Sequence, residues 1–343
     1  MSSCFLPQSG ALLALCVGAL LTACQPRHDQ TAEASTPPVG HYEGSFSTAG
    51  QPEARATLDI RHPSPGNYEA ELTAPGTLSF VADTIIFSNN QLRLTRPARS
   101  GQTLTLTLDG DFWRGTLMLD STKFTTILVK RGVPTPSTYR AEEVPQTTGS
   151  AWLFAPADTG TPGAALALLP DAETAPTAAL WADALAREGV IVLLLPAADS
   201  ATAATETPRL QAALRLLHGT AGADTANVGV WAMGQRAAAA AQVLAGAPSP
   251  RLAFLIAQNA DFDAAGRDAF RELARRKLPL LGLYGGPTAV RRAAALRQAI
   301  GSRRGAMVRR YPSPGLDLLL PGSMGPRFAP GLPTDVVEWL QGK

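Results

Sequence analysis

The feature that most constrains this chain is a change of hydrophobic period near residue 150. Before it, apolar residues recur at every second position; after it, short apolar runs alternate with stretches of helical spacing. A period of 2 puts alternate side chains on opposite faces of a sheet, whereas a period near 3.6 gathers them into one helical stripe. No single uniform architecture satisfies both. At 343 residues the chain is long for one domain and comfortable for two. With 45% apolar and 17% charged residues it can fill a core, which excludes a disordered or collagen-like chain.

Residues 40–131 carry the first pattern. Ala54-Arg55-Ala56-Thr57-Leu58-Asp59-Ile60, Leu104-Thr105-Leu106-Thr107-Leu108 and Gly115-Thr116-Leu117-Met118-Leu119 alternate. Turn signals at Ser64-Pro65-Gly66-Asn67, Asn89-Asn90 and Asp109-Gly110 separate such runs, which predicts a small antiparallel all-β sandwich or barrel. Its aromatics (Tyr42, Phe46, Tyr68, Phe80, Phe87, Phe112 and Trp113) are expected to pack its core and turns. Residues 132–150 are rich in Pro, Thr and Ser and are expected to be a linker. From 151 to 343, apolar runs at 164–169, 190–195, 228–233, 252–257, 278–284 and 306–311 predict strands. Helical patterns at 176–188, 207–218, 235–245, 263–277, 289–300 and 334–340 lie between and after them. Strands of this kind alternating with amphipathic helices predict an α/β fold with a doubly wound, mainly parallel sheet.

The amino terminus reads as a leader. Residues 11–23 form an apolar run too short to span a bilayer and suited to a signal-peptide core. It ends in Leu21-Thr22-Ala23-Cys24, with polar Gln25-Pro26-Arg27-His28 following. This resembles the bacterial lipoprotein lipobox, which implies a leader over 1–24, acylation of Cys24, a tether over 25–39 and a membrane-anchored envelope protein. Gln25 in place of an Asp implies the outer rather than the inner membrane. An ordinary secretory signal cut near Ala23 is the alternative. The cysteines Cys4, Cys16 and Cys24 all fall in this segment, so nothing beyond them can form an intrachain disulfide or a Cys-ligated metal site.

A formal charge of +2 over 58 charged side chains offers no clustered basic face, so nucleic acid is not an expected partner. No His, Asp and Glu cluster has metal-ligand spacing, and no cofactor is expected. Arg291, Arg292, Arg297, Arg303, Arg304, Arg309 and Arg310 bias the last third towards positive charge; solvated helix faces and strand ends are expected, with a binding patch for an acidic partner or surface as the alternative.

The strand–helix order of the second half, with Asn227-Val228-Gly229-Val230-Trp231-Ala232-Met233-Gly234-Gln235-Arg236 at its centre, resembles the α/β-hydrolase superfamily of serine hydrolases. A small β domain placed in front, with Gly40-His41-Tyr42-Glu43-Gly44 and Gly110-Asp111-Phe112-Trp113-Arg114-Gly115, is similar to that of some of its members. The resemblance implies G-x-S-x-G at a strand–turn–helix elbow. Here the nucleophile falls on Gly234 and the last motif glycine on Arg236. No Ser, Thr or Cys occurs between Asn227 and Ser249 to take its place. The acid position, after Gly285-Gly286-Pro287, holds Thr288. The histidine position, in Pro314-Gly315-Leu316-Asp317-Leu318, holds Leu318, and the last histidine of the chain is His218. Leu169-Pro170-Asp171-Ala172-Glu173 replaces the oxyanion glycines with two carboxylates. Pro196-Ala197-Ala198-Asp199-Ser200 replaces the Arg-Gly-x-Gly turn.

Gly234, Thr288 and Leu318 therefore read as a degenerate triad, and the expected function is that of a non-catalytic hydrolase-like lipoprotein acting by binding or assembly with an unknown ligand or protein partner. Two alternatives stand beside it. One is an active ester or peptide hydrolase with a relocated site, for which Ser200 beside Asp199, with His218 as base, is the candidate. The other is a structural envelope scaffold. His218 beside Gly219 also reads as a charge complement to a helix end, and of Asp261, Asp263 and Asp268, which follow the strand at 252–257, Asp261-Phe262-Asp263 reads as a cap of the next helix. His28, His41 and His62 are expected to be solvated. About twenty residues separate the expected strands at 252–257 and 278–284, which leaves little room for a substrate lid.

Overall fold

The computed structural model describes residues 36–343 apart from 51–52, 75–77, 83, 96–101, 120–121, 147–148, 199, 247–250, 302–304, 314, 322–325 and 343. The leader, Cys24, His28, Asp199, Arg303 and Arg304 lie outside the described residues.

Nine strands form one antiparallel sheet: β1 (Gly40–Ser47), β2 (Ala54–Ser64), β3 (Asn67–Ala74), β4 (Leu78–Ala82), β5 (Thr84–Ser88), β6 (Gln91–Thr95), β7 (Gln102–Asp109), β8 (Phe112–Leu119) and β9 (Thr122–Gly132). The order is β4-β3-β2-β1-β9-β8-β7-β6-β5, so the first strand pairs with the last. The two end strands, β4 and β5, are one residue apart in the chain, which holds their facing ends within about 7–8 Å. A sheet whose edges meet in this way is rolled up as a barrel. The period of 2 fills its interior: Tyr42, Phe46, Leu58, Ile60, Leu104, Leu106, Trp113, Leu117 and Leu128 are all buried. Asn89 and Asn90, both at positive φ, make the two-residue hairpin turn that joins β5 to β6.

A second sheet has the order β10-β11-β13-β12-β14-β15-β16-β17. Its strands are β10 (Tyr139–Gln146), β11 (Gly149–Pro156), β12 (Gly163–Leu169), β13 (Ile191–Leu194), β14 (Ala223–Met233), β15 (Phe254–Gln258), β16 (Leu280–Tyr284) and β17 (Ala306–Arg310). The first two are antiparallel, and β12 to β17 run parallel. Numbered within the sheet this is 1-2-4-3-5-6-7-8, a mainly parallel sheet as expected. Helices α1 (Ala175–Arg187), α2 (Ala203–His218), α3 (Gln235–Ala245), α4 (Ala264–Arg275), α5 (Ala289–Ile300) and α6 (Thr334–Gly342) cover it, with a short β18 (Leu319–Leu320) and β19 (Arg327–Phe328) before α6. Two apolar clusters, one on each face, sandwich the sheet.

Two expectations are corrected. The 132–150 segment is not a free linker, because it contains β10 and the start of β11. β10 is an edge strand, and its outward Arg140, Glu142, Glu143 and Pro145 are the charges and proline that such edges carry. The Pro, Thr and Ser that gave the segment its linker-like composition mostly flank β10 in the sequence, at 134–138 and 147–150. Helix α2 starts at Ala203 rather than 207, capped by a reciprocal Thr202–Thr205 pair, so that Pro208 lies inside it.

The barrel and the α/β lobe are parts of one compact unit, Pro37–Lys343, and a buried polar network joins them. Glu71 of β3 accepts from Arg61 of β2 (2.8 Å), from the Thr138 hydroxyl (2.7 Å) and from Arg187 of α1 (2.6 Å). Asp59 accepts from the backbone and hydroxyl of Thr135, both at 2.8 Å, and lies 2.9 Å from His41 Nδ1. His41, expected in solvent, is thus tied into the network. Tyr139 donates to Asp183, and Arg187 lies over the Tyr139 ring at 5.3 Å. Burial pushes the Glu71 carboxyl up, but the Thr138 hydroxyl and the guanidiniums of Arg187 and Arg61 outweigh it and hold the carboxyl below its ordinary range. In acid the unfolded chain therefore takes up this proton before the folded one does. The stabilisation is complete above the unfolded value of about 4.3 and is lost as the pH falls through the lower folded value. Glu71→Gln is expected to cost about 3 kcal/mol at neutral pH by removing the buried carboxylate that Arg61 and Arg187 share. Urea unfolding of wild type and variant across pH 7 to 3 should show the gap shrinking in acid; a constant gap would refute the linkage.

Candidate functional site

In open α/β sheets ligands bind outside the carboxyl ends of the strands, and here β12, β13, β14, β15 and β16 end on one edge. β14 stops at Met233, Gly234 turns with φ +55° and ψ −125°, and α3 begins at Gln235. This is the strand–turn–helix elbow at which the resemblance places a nucleophile. Gly234 N–H donates to the Gln258 carbonyl at 2.8 Å, which fixes the turn against β15.

The space a side chain would occupy at 234 is filled. A Cβ built there would lie 1.7 Å from Asp171 Oδ2 and 2.7 Å from its Cγ. Asp171 follows β12, in the loop where the oxyanion glycines are expected. Its Oδ1 accepts from Thr174 N–H (2.9 Å) and from the Thr174 hydroxyl (2.8 Å), while Asp171 N–H donates back to that hydroxyl (3.1 Å). The second carboxylate of the loop, Glu173, is exposed.

Arg236, at the place of the last motif glycine, is fully buried. Its Nη1 donates to the carbonyls of Pro170 (3.0 Å) and Pro196 (2.8 Å), and its Nη2 to Glu206 Oε2 (2.7 Å). Glu206, equally buried, also accepts from Arg209 Nη1 at 3.0 Å. Burial pulls the Arg236 pKa down; the Glu206 pair opposes this, Arg209 adds to it, and the net shift is downward.

The acid and histidine positions meet on the same edge. Gly285 N–H donates to Asn259 Oδ1 at 3.0 Å, and a Cβ on Gly285 would lie 2.6 Å from Leu318 Cδ2. Thr288 stands at the amino end of α5, with no side-chain capping bond. Leu318 is buried, at φ +64°, in the cluster that contains Trp181 and Trp231. The Leu316 carbonyl accepts from Gln258 Nε2 (2.8 Å) and Asn259 Nδ2 (2.5 Å), so its loop is tied down across the ends of β15 and β16. Trp231 Nε1 donates to Gln258 Oε1 (3.1 Å) and Trp181 Nε1 to the Asp317 carbonyl (3.3 Å).

Other candidates lie apart. Ser200 is exposed near the carboxyl end of β13, whereas His218 ends α2. The 16 residues of that helix separate them by about 24 Å. They cannot form a dyad. Asp263 caps α4 through Gly266 N–H (2.9 Å), Asp261 pairs with Arg292 (2.9 Å) and Asp268 with Arg271. Of the arginine bias, Arg309 pairs with Asp335 and Arg297 donates to the Val308 carbonyl. Between β15 and β16 stands α4 with short connections. Asp171 and Arg236 were visible in the sequence as replacements of motif positions; Glu206, Gln258 and Asn259 were missed. A Gln-Asn pair at the end of an apolar strand is the signal that could have found two of them.

No protein family matches the chain, and no curated protein matches its sequence. Among solved structures it is similar to a protein described as a candidate dienelactone hydrolase from Klebsiella pneumoniae subsp. pneumoniae, at 16% identity over 52% of this chain and 87% of that one, with a TM-score of 0.40. A hypothetical protein from Pseudomonas aeruginosa aligns at 11% identity over 61% and 95%, with a TM-score of 0.44. Dipeptidyl peptidase 4 from Porphyromonas gingivalis aligns at 12% identity over 84% of this chain, with a TM-score of 0.45, and the chain spans about half (48%) of its length.

Gly234→Ser is expected to destabilise the fold by about 2 kcal/mol or more, from the positive φ and from contact with Asp171. In an Asp171→Ala background the same change should cost at least about 1 kcal/mol less, because residues in contact couple. A double-mutant cycle by chemical unfolding measures this, and strict additivity would rule the contact out.

Proposed function

We propose that this protein is a catalytically inactive, α/β-hydrolase-like envelope lipoprotein, anchored through Cys24 in the outer membrane, that acts by binding rather than by covalent chemistry. The observation that carries this reading is the Asp171 carboxylate in the space of a nucleophile at Gly234. Acyl transfer needs an attacking oxygen or sulfur, a base to activate it and donors aimed at the developing oxyanion. Gly234 offers no attacking atom, and a carboxylate beside it would repel an oxyanion. A carboxylate can itself act as a nucleophile, but its ester must then be hydrolysed by activated water. Among the described residues no histidine lies on this edge: His41 and His62 belong to the barrel, and His218 to the far end of α2. Thr288 and Leu318 supply no acid–base pair. Binding is favoured over a purely structural role by a cavity of about 250 Å³ where β13 gives way to α2, lined partly by Leu195 and Pro196. A filled edge would favour a scaffold.

A fluorophosphonate probe should leave the wild-type protein unlabelled, and p-nitrophenyl esters should not turn over above background. Stoichiometric labelling, or turnover abolished by Ser200→Ala, would overturn the non-catalytic reading. The anchor has its own test. Fatty-acid label should enter the wild type and vanish in Cys24→Ala, which should move to the soluble envelope fraction. Unlabelled wild type in that fraction would mean a plain secretory leader.

A further inference from the structure

The cavity between β13 and α2 has apolar walls and a cationic end. Leu195, Pro196, Pro208 and Ala212 line it, and so do Arg209 and Arg236. At about 250 Å³ it falls just under the range of about 300–1,000 Å³ for drug-sized ligands. It has room for at least about eight water-sized groups. Arg236 is fully buried and commits its two Nη atoms to carbonyls and Glu206, yet its Nε has no hydrogen-bond partner. A buried donor without an acceptor is costly, so such atoms mark places where a partner belongs. Arg209 exposes 30% of its side chain and engages Glu206 through Nη1 alone. Two guanidiniums thus share the single carboxylate of Glu206, with Asp171 acting on Arg236 only through space. Gln146 and Thr205 complete the lining, and at the cationic end two guanidiniums share one carboxylate.

We infer that the cavity binds a small amphipathic carboxylate, with its charged group at Arg209 and Arg236 and its hydrocarbon part against Leu195, Pro196, Pro208 and Ala212. The inference rests on the binding role proposed above and names its ligand class. Two guanidiniums at one end and the apolar side chains of Leu195, Pro196, Pro208 and Ala212 select an acid over the matching alcohol, because the acid brings a charged acceptor where the alcohol brings only a neutral one.

The test is titration of the purified protein with octanoate and with octan-1-ol, followed by calorimetry and by amide NMR shifts. Octanoate should bind saturably and at least about tenfold more tightly than the alcohol, as a charged hydrogen bond in a partly enclosed site allows. Arg209→Gln leaves the Arg236–Glu206 pair intact and should remove most of that preference. Ala212→Phe, which fills the chamber, should abolish binding of both. Circular dichroism and thermal unfolding check that each variant folds. Absence of saturable octanoate binding, equal binding of acid and alcohol, or wild-type affinity in a folded Arg209→Gln would each overturn the inference. These outcomes are separable from failure of the proposed function: loss of binding leaves the probe-labelling result untouched, and covalent labelling would refute inactivity whether or not octanoate binds.

Discussion

The carboxyl edge of the parallel sheet is organised around one buried guanidinium. Arg236 ties the loop after β12, the loop after β13 and helix α2 to the first turn of α3. A charge taken out of water persists only where its partners are close and well aligned, and here two proline carbonyls and Glu206 meet that demand. The consequence runs outward. With Pro170 held, Asp171 is set over Gly234; with Pro196 held, the chain is aimed into α2; with Glu206 held, Arg209 is drawn to the cavity mouth. A motif glycine at this position would leave room for a reaction. An arginine converts the same room into structure.

What the sequence revealed, and what it hid, divides along the range of the interactions. The switch of period at residue 150, the barrel's alternation and the strand order on either side of Gly234 are local or periodic, and they could be read directly. The loss of a side chain at 234, of a carboxylate at 288 and of an imidazole at 318 was equally plain. That Asp171 fills the gap at Gly234 was not, because it depends on two residues 63 positions apart meeting across β12 and β14. Glu206 stood just outside the helix expected over 207–218, and only the fold places it in the first turn and fully buried beside Arg236. The reading of 132–150 as a linker had a local origin: Pro, Thr and Ser flank β10, and the strand itself carries the charges and proline that keep an edge from pairing.

A buried polar network joins the two lobes. Asp59, Arg61 and Glu71 leave the barrel's apolar pattern to meet Thr135, Thr138 and Arg187. Such a junction is directional. Hydrogen bonds at 2.6–2.8 Å specify an angle between lobes that a greasy contact would leave loose. The chain entering β10 is thereby anchored at the residues that lead into it, so the α/β sheet begins from a fixed point on the barrel.

The pairing of β1 with both β2 and β9 has a mechanical meaning. The first strand of the barrel is bonded along both sides, over Gly40–Phe46 to β2 and over His41–Ser47 to β9. A pull applied along its axis from the amino-terminal side loads both ladders in shear, and they must give way together. The same pull on a hairpin end would open one bond at a time, as a zipper does. The chain leaves β9 at Gly132, opposite His41 at the start of β1, so tension between residues 36–39 and the α/β lobe opens the β1–β9 ladder from that end, and the shear arises only when the barrel is held at its opposite end.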